Sequence, residues 1–526
     1  MRERDLTGPI PAGHCGKTPG IVRSRPGAQR QLTRLGVMAT LTAMGSSALA
    51  EEEPPLGQIS PNFRVVGELR GRIEANDFFR PTLDPKNGVT ANQNDYAFGH
   101  LRARLGVEMK TPWFDGMIQG QYSGLYDLPN DAFAGPPVGP LGLGGAYYKD
   151  NGSTNPSQVF IKQGWLTLKS EAVGFKGGSL KAGRFEFAEG LEYKTGDGKF
   201  DTLKKIRVSQ RLVGPFGFTL SRSFDGMNLV YDRPDFNVSL MASHPTQGGF
   251  NTKGMDEISH VDLAYGAVTA KRGALIPDTE ARFFYLYYGD DRNVQAVDNR
   301  PVAQRPKLNV QDLAISTVGT HLLTVTDLGP GQADGMFWGA YQWGSWTNLR
   351  HEAFALGAEG GYQFTGVPLK PWLRVGYFYG SGDSNPNNGV HGTFFQVIPT
   401  VRQYAKFPYF NQMNMQDVFF QINLAPIENV KVGIDFHHLF LAESQDLFYA
   451  GSGATSRSGA LGYFGRASGG NHTVGELVDI SFSHKLNRYF SWSLYYAHAF
   501  GSSVTGNVYQ SRNDADYGFA EFTASF

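Results

Sequence analysis

Residues 63–75 read FRVVGELRGRIEA, and their alternation points to the architecture of the whole chain. Phe63, Val65, Leu69 and Ile73 share one parity with Gly67 and Gly71, while Arg64, Glu68, Arg70, Arg72 and Glu74 share the other. Alternate side chains of a β-strand project to opposite faces, so one face here is apolar and the other ionic. Strands of a soluble sandwich commonly run about 5–6 residues. A tilted strand that crosses a bilayer needs about 9–11, and this run is long enough.

The pattern recurs along the chain. In 96–109, Leu101, Ala103, Leu105, Val107 and Met109 oppose His100, Arg102, Arg104 and Glu108. In 371–380, Leu373, Val375, Tyr377 and Tyr379 oppose Arg374. In 416–424, Val418, Phe420, Ile422 and Leu424 oppose Asp417, Gln421 and Asn423. In 430–440, Val430, Val432, Ile434 and Phe436 oppose Lys431, Asp435 and His437. About 18 such runs start near residues 63, 95, 114, 158, 179, 222, 235, 258, 279, 312, 334, 354, 371, 413, 430, 472, 489 and 515. The links between them alternate in length: 78–94, 127–157, 188–221, 383–412 and 443–471 are long, whereas 110–113, 170–178, 232–234, 425–429 and 485–488 are short. Outer-membrane barrels have short periplasmic turns, long extracellular loops and an even strand number. The sheet must close, because an open edge leaves backbone groups unpaired in hydrocarbon. The expectation is an all-β chain: a transmembrane antiparallel β-barrel of about 18 strands in the bacterial outer membrane.

Composition agrees with this reading. Charged residues make up 18% of the 526, aromatics 13%, and there are 66 Gly and one Cys. Such a chain is neither disordered nor a disulfide or zinc-finger scaffold. Forty-eight Lys and Arg balance 48 Asp and Glu, which gives no reason to expect nucleic acid as a partner. Residues 34–50, RLGVMATLTAMGSSALA, follow Arg23, Arg25 and Arg30 and end in the small-x-small pattern Ala48-Leu49-Ala50. That reads as a secretory signal cleaved after Ala50, with 51–526 as a single barrel domain. The leader contains Cys15, seven bases and two acids, so the mature chain has no cysteine and a net charge of −5 (41 bases, 46 acids). The chain ends on Phe526, with Phe522, Ala524 and Ala520 on the same face. A terminal aromatic on an amphipathic strand reads as a sorting signal for the barrel insertion machinery.

Charges facing lipid at midplane cost about 2–4 kcal/mol each, so the ionic face belongs in the lumen. The candidate pore-lining residues are Arg64, Arg70, Arg72, Arg102, Arg104, Arg184, Arg222, Arg374 and Arg402, with Glu68, Glu108, Asp417 and Asp435. The arginines suit an electropositive constriction for carboxylate-bearing solutes, because guanidinium stays charged and forks onto carboxylates. They equally suit an ion-pair ladder that braces the wall. Arg207, Arg211, Arg222 and Arg402 lie in or beside long links and line a constriction only where a link folds inward; otherwise they are solvated. Phe378 and Phe419 fall on the lumen face and suggest an alternative path for apolar molecules.

Other motifs read as structural. Asp383, Asn385 and Asn387 resemble calcium-loop spacing, but Asn388 replaces the required Gly and Phe394 stands where a bidentate Glu belongs, so Asx-turns account for them better. His437 and His438 point to opposite faces of one strand and cannot share a metal. No metal or other cofactor is expected. The pairs Tyr287-Tyr288, Trp343/Trp346 and Tyr495-Tyr496 fit interfacial girdles. His100, His391, His437 and His484 show no spacing that supports a catalytic triad, and the chain reads as a non-enzyme.

Residues 371–405, PWLRVGYFYGSGDSNPNNGVHGTFFQVIPTVRQYA, resemble the alginate-export family of outer-membrane barrels. So do 435–450, DFHHLFLAESQDLFYA, and 475–501, GELVDISFSHKLNRYFSWSLYYAHAFG, as does Gly183-Arg184 in the earlier part. The resemblance implies a monomeric 18-stranded barrel whose pore passes anionic sugar polymers or other small solutes. It also implies an arginine-lined constriction, which Arg102, Arg104, Arg184 and Arg374 would form here. The function expected is passive transport of anionic or polar solutes, with uronate-type polysaccharide export as one form. Uptake of hydrophobic small molecules and general diffusion are the alternatives. Outer-membrane lipid is the remaining partner.

Overall fold

The structure is a computed structural model. It describes residues 57–526 except 216–219, 293, 296, 307–311, 399–403, 452, 456–458 and 461. The leader 1–50 and Arg402 lie outside the described residues.

Eighteen strands form the wall: β1 Phe63–Asp77, β2 Asp95–Lys110, β3 Phe114–Tyr126, β4 Ser157–Lys169, β5 Gly178–Phe185, β6 Phe224–Asp232, β7 Phe236–Pro245, β8 Val261–Ala270 and β9 Thr279–Asp290. They continue as β10 Leu313–Leu328, β11 Gly331–Trp346, β12 Leu349–Phe364, β13 Trp372–Gly380, β14 Met415–Leu424, β15 Val430–Leu441, β16 Thr473–Lys485, β17 Phe490–Gly501 and β18 Asp514–Ser525. Each pairs antiparallel with its sequence neighbours. β18 returns to β1 in the register Leu69↔Ala524 to Asp77↔Asp516 and closes the barrel. Past that ladder, Phe526 and Gly67 exchange two backbone hydrogen bonds of 3.0 and 3.1 Å. The Phe526 ring lies where a Cβ on Gly67 would sit, 2.4 Å from its ring carbons, so glycine leaves room for the terminal aromatic.

All 18 runs expected from the alternation are strands, including the weak one near 222. Links at one end of the barrel are short, and most at the other are long. One link departs from that pattern: β11 and β12 are joined at the long-loop end by Thr347 and Asn348 alone, with Thr347 at φ 53°.

The apolar residues obey the facing read from parity. Leu69, Ile73, Leu105, Val375, Val418, Phe436, Leu494 and Phe522 are exposed on the outer wall. The hydrophobic core sits inside the barrel, toward the long-loop end. There the loop residues Phe200, Leu203, Val208, Leu212, Phe394, Phe395 and Tyr404 pack against inward strand residues such as Leu263, Phe284, Trp338 and Phe378. The aromatic pairs divide between the faces: Trp343 and Tyr496 are exposed outside, whereas Tyr288, Trp346 and Tyr495 are buried inside. A girdle therefore takes only one member of each pair, because neighbouring side chains alternate.

Candidate functional site

The lumen carries two linked sets of charges. The first lies on β1–β4 and β18. Register places Arg70 beside Arg102, Glu68 beside Arg104 and Arg64 beside Glu108. Arg70 and Arg72 both grip Glu521 through Nε, at 2.6 and 2.7 Å. Arg72 also holds Glu74 at 3.0 Å. Arg102 donates to Glu68 at 2.7 Å. Arg104 reaches Gln121 at 2.6 Å, Glu186 at 2.9 Å and the Ser221 hydroxyl at 2.8 Å. Lys162, fully buried, lies 3.2 Å from the same Glu186. Charge-assisted bonds of this kind fix guanidinium planes along the wall.

The second set comes from the link 186–223, which folds inward. Asp197 caps its helix α1 (Gly198–Leu203), accepting from the backbone of Lys199 and Phe200 at 3.0 and 2.9 Å. A π-turn over Lys204–Val208 continues the helix. Phe200, Leu203 and Val208 anchor the segment in the interior core. That anchoring aims its cations at the wall. Lys199 lies 3.3 Å from Asp334, Lys204 3.0 Å from Glu280, Arg207 3.4 Å from Glu359 and Arg211 3.5 Å from Glu359. Arg374 joins from β13, bridging Asp334 and Glu359 at 2.7 Å each. Burial lowers the Lys204 pKa, opposed by the Glu280 carboxylate. Burial in the same segment raises Glu189 to about 7.

Cations outnumber carboxylates in both sets. Arg70, Arg72, Arg102, Arg104 and Lys162 share Glu68, Glu74, Glu186 and Glu521. Lys199, Lys204, Arg207, Arg211 and Arg374 share Glu280, Asp334 and Glu359. At the short-turn end, a cavity of about 480 Å³ is lined by Lys431, His484, Arg488, Trp492 and Glu521, among others. Its inner end thus meets the carboxylate that Arg70 and Arg72 hold.

Apart from Arg184, the described residues expected to line the pore point into the barrel, but they differ in access. Arg64 is the most open, its side chain 42% exposed beside Glu108 at 3.9 Å. Arg184 does not line the pore: it shares the parity of exposed Leu180, and its partner Asp225, at 2.6 Å, that of exposed Met227 and Leu229, so the pair lies on the outer wall. Arg222 and Arg374 are completely enclosed; Arg222 donates to the Ala454 carbonyl at 2.9 Å. They brace the packed interior rather than facing open solvent. Asp417 is buried against His437 at 3.0 Å, and Asp435 is half-buried opposite Asp479. Phe378 and Phe419 face inward but are enclosed against Tyr404. Arg207 and Arg211, left open between constriction and surface, are buried in the lumen. Asp383 and Asn385 form Asx-turns, accepting from the backbone of Asn385 and Asn387 at 3.0 Å each. Sequence reasoning missed Lys162, Lys199, Lys204, Glu280, Asp334, Glu359 and Asp479. Strand parity alone marks Glu280, Asp334, Glu359 and Asp479 as inward, whereas Lys199 and Lys204 lie in a loop without such a signal.

The comparisons with known proteins fit this geometry. The sequence matches no curated protein. Among solved structures, the barrel is similar to OccK5 (OpdH) of Pseudomonas aeruginosa, at TM-score 0.52 and 9% identity, covering 88% of this chain and 98% of that one. It is also similar to OccAB2 of Acinetobacter baumannii, at TM-score 0.53 and 8% identity, covering 88% and 98%. At such identities these likenesses speak for the fold. The model of the alginate export family matches residues 141–521, well beyond the C-terminal segments whose motifs resemble it. With its closed 18-strand wall and charged lumen, the chain belongs to the alginate export family and is an outer-membrane channel for solutes.

Proposed function

We propose that this channel passes anionic, carboxylate-bearing solutes down their gradient, and that uronate oligomers are the class to test first. The observation that carries the reading is the arginine run Arg70, Arg72, Arg102 and Arg104, two of which hold the Glu521 that lines the short-turn cavity, within two ion-pair sets whose cations outnumber their carboxylates. Guanidinium groups held by shared carboxylates keep a fixed geometry and a residual positive field, and a low-dielectric wall focuses that field. Selectivity then comes from charge lining the path, with no energy source beyond the solute gradient. The packed loops at the extracellular end set the gate, because Phe394, Phe395 and Tyr404 must yield for a polymer to pass.

The test is single-channel recording of the refolded barrel across a salt gradient. An anion-selective reversal potential, with current block by uronate oligomers, is the expected result. Cation preference and indifference to uronates would refute the reading and favour general diffusion.

A further inference from the structure

On the lumen wall of β14–β16, three strands bring together groups that the ion-pair network does not absorb. Asp435 on β15 stands directly opposite Asp479 on β16 in the ladder. Like charges in that position repel. His437, two residues along β15, points to the same face and is fully enclosed. Its Nδ1 lies 3.0 and 3.1 Å from the two oxygens of Asp417 on β14. A ring that donates Nδ1–H to a carboxylate presents a bare lone pair at Nε2. That Nε2 has no hydrogen-bond partner, nor has Oδ2 of Asp479, a residue only 3% exposed, nor Oδ1 of Asp435. Donor atoms of these three side chains lie within 4.8 Å of one another.

Buried polar atoms left without partners are costly, and three that converge call for a common partner. We propose that Asp435, His437 and Asp479 form a divalent transition-metal site, of the class that takes Zn²⁺, and that Asp417 orients the imidazole.

The donor set selects the ion. One imidazole and two carboxylates suit Zn²⁺, whereas Ca²⁺ takes six to eight oxygens. Ligand distances of about 2.0–2.2 Å in a tetrahedral site put donors about 3.4 Å apart, so small side-chain rotations close the observed spread. Three protein ligands leave a fourth position for water or a solute carboxylate. Asp435 is only half-buried, which places that opening on the lumen side. Gln421 hydrogen-bonds Asp435 and Tyr495 hydrogen-bonds Asp479, supplying outer support. Lys406 and Arg207 stand in the same field and temper its negative charge. This site does not depend on which solute the channel carries.

The test uses the full barrel, refolded in detergent and stripped of metal, titrated with Zn²⁺ by calorimetry and with Co²⁺ by visible absorption. One equivalent should bind, with the intense d–d band of four-coordinate Co²⁺. His437→Gln and Asp479→Asn should each abolish that band, and Asp417→Asn should weaken Zn²⁺ binding about 10–100-fold without removing it. Heat-modifiable gel mobility checks that each variant folds. Should the enclosed positions fail to fold, Asp435→Asn, at the half-buried position, carries the same prediction. Absence of binding by the wild type, or equal binding by wild type and folded variants, overturns the proposal; the carboxylate pair would then share a proton instead.

Discussion

Arg70 and Arg102 sit side by side on adjacent strands, yet each is held by a different carboxylate, Glu521 and Glu68. Arg70 holds the Glu521 that lines the short-turn cavity and Arg102 stands directly beside it in the ladder, so their charge acts on passing ions. Replacing both with Gln should shift the reversal potential toward cations, read in bilayers under a salt gradient. Glu359 is the opposite case. It is buried and serves Arg207, Arg211 and Arg374 together. Glu359→Gln removes the carboxylate that Arg207 and Arg211 approach and one of the two that hold Arg374, and removing one partner of a buried pair costs about 3–5 kcal/mol. The variant should unfold at lower denaturant concentration, and its pore should prefer anions more strongly. The two substitutions thus move selectivity in opposite directions. Parity showed that Arg70 and Arg374 both point inward. It did not show that one is partly open and the other sealed, because the seal over Arg374 includes the inward link, whose Arg207 reaches the same Glu359.

At the scale of elements, Phe200, Leu203, Val208 and Leu212 of the inward link pack in one core with the loop residues Phe394, Phe395, Tyr404 and Tyr449. Asp446, in the link between β15 and β16, ties two loops together. It accepts from the Asp383 backbone at 3.0 Å, the Thr393 hydroxyl at 2.6 Å and the Tyr449 hydroxyl at 2.9 Å. Burial nevertheless raises its pKa from 3.8 to about 7. Between those values the unfolded loop releases a proton that the packed loop retains, so packing is firmest at low pH and weakens as pH rises toward 7. Mean conductance should therefore be higher at pH 8 than at pH 5. Asp446→Asn, which cannot ionise, should flatten that dependence. The links were legible as long or short from the spacing of the strands. Which of them turns inward was not, because loop residues carry no face periodicity. Phe200, Leu203 and Val208 look like any apolar loop residues until the barrel supplies a wall for them.

At the scale of the whole molecule, the barrel inverts the soluble pattern, with aliphatic rows outside and charge within. Ile73 is exposed on the outer wall of β1, with Ala520 and Gly99 as its cross-strand partners. Ile73→Arg should cost up to about 2–4 kcal/mol, depending on its depth in the bilayer. Urea titration of folding into lipid vesicles reads that loss. An arginine at an inward position beside the short-turn cavity, such as Ser493→Arg, should cost far less, since lumen changes tune selectivity rather than insertion.

Strand number, the facing of the apolar rows and the membrane setting were legible in the chain alone, because a two-residue period and strand length are local properties that lipid enforces along the wall; the outward turn of Arg184 was not. Its C-terminal segments carried the family resemblance. Which charges meet follows from the three-dimensional fold alone. Arg374 finds Asp334 and Glu359, Arg72 finds Glu521, and Asp435, His437 and Asp479 converge on one patch through barrel closure and loop folding. Those pairings depend on register between distant strands and on loops packing in a shared interior, and no local pattern in the chain encodes either.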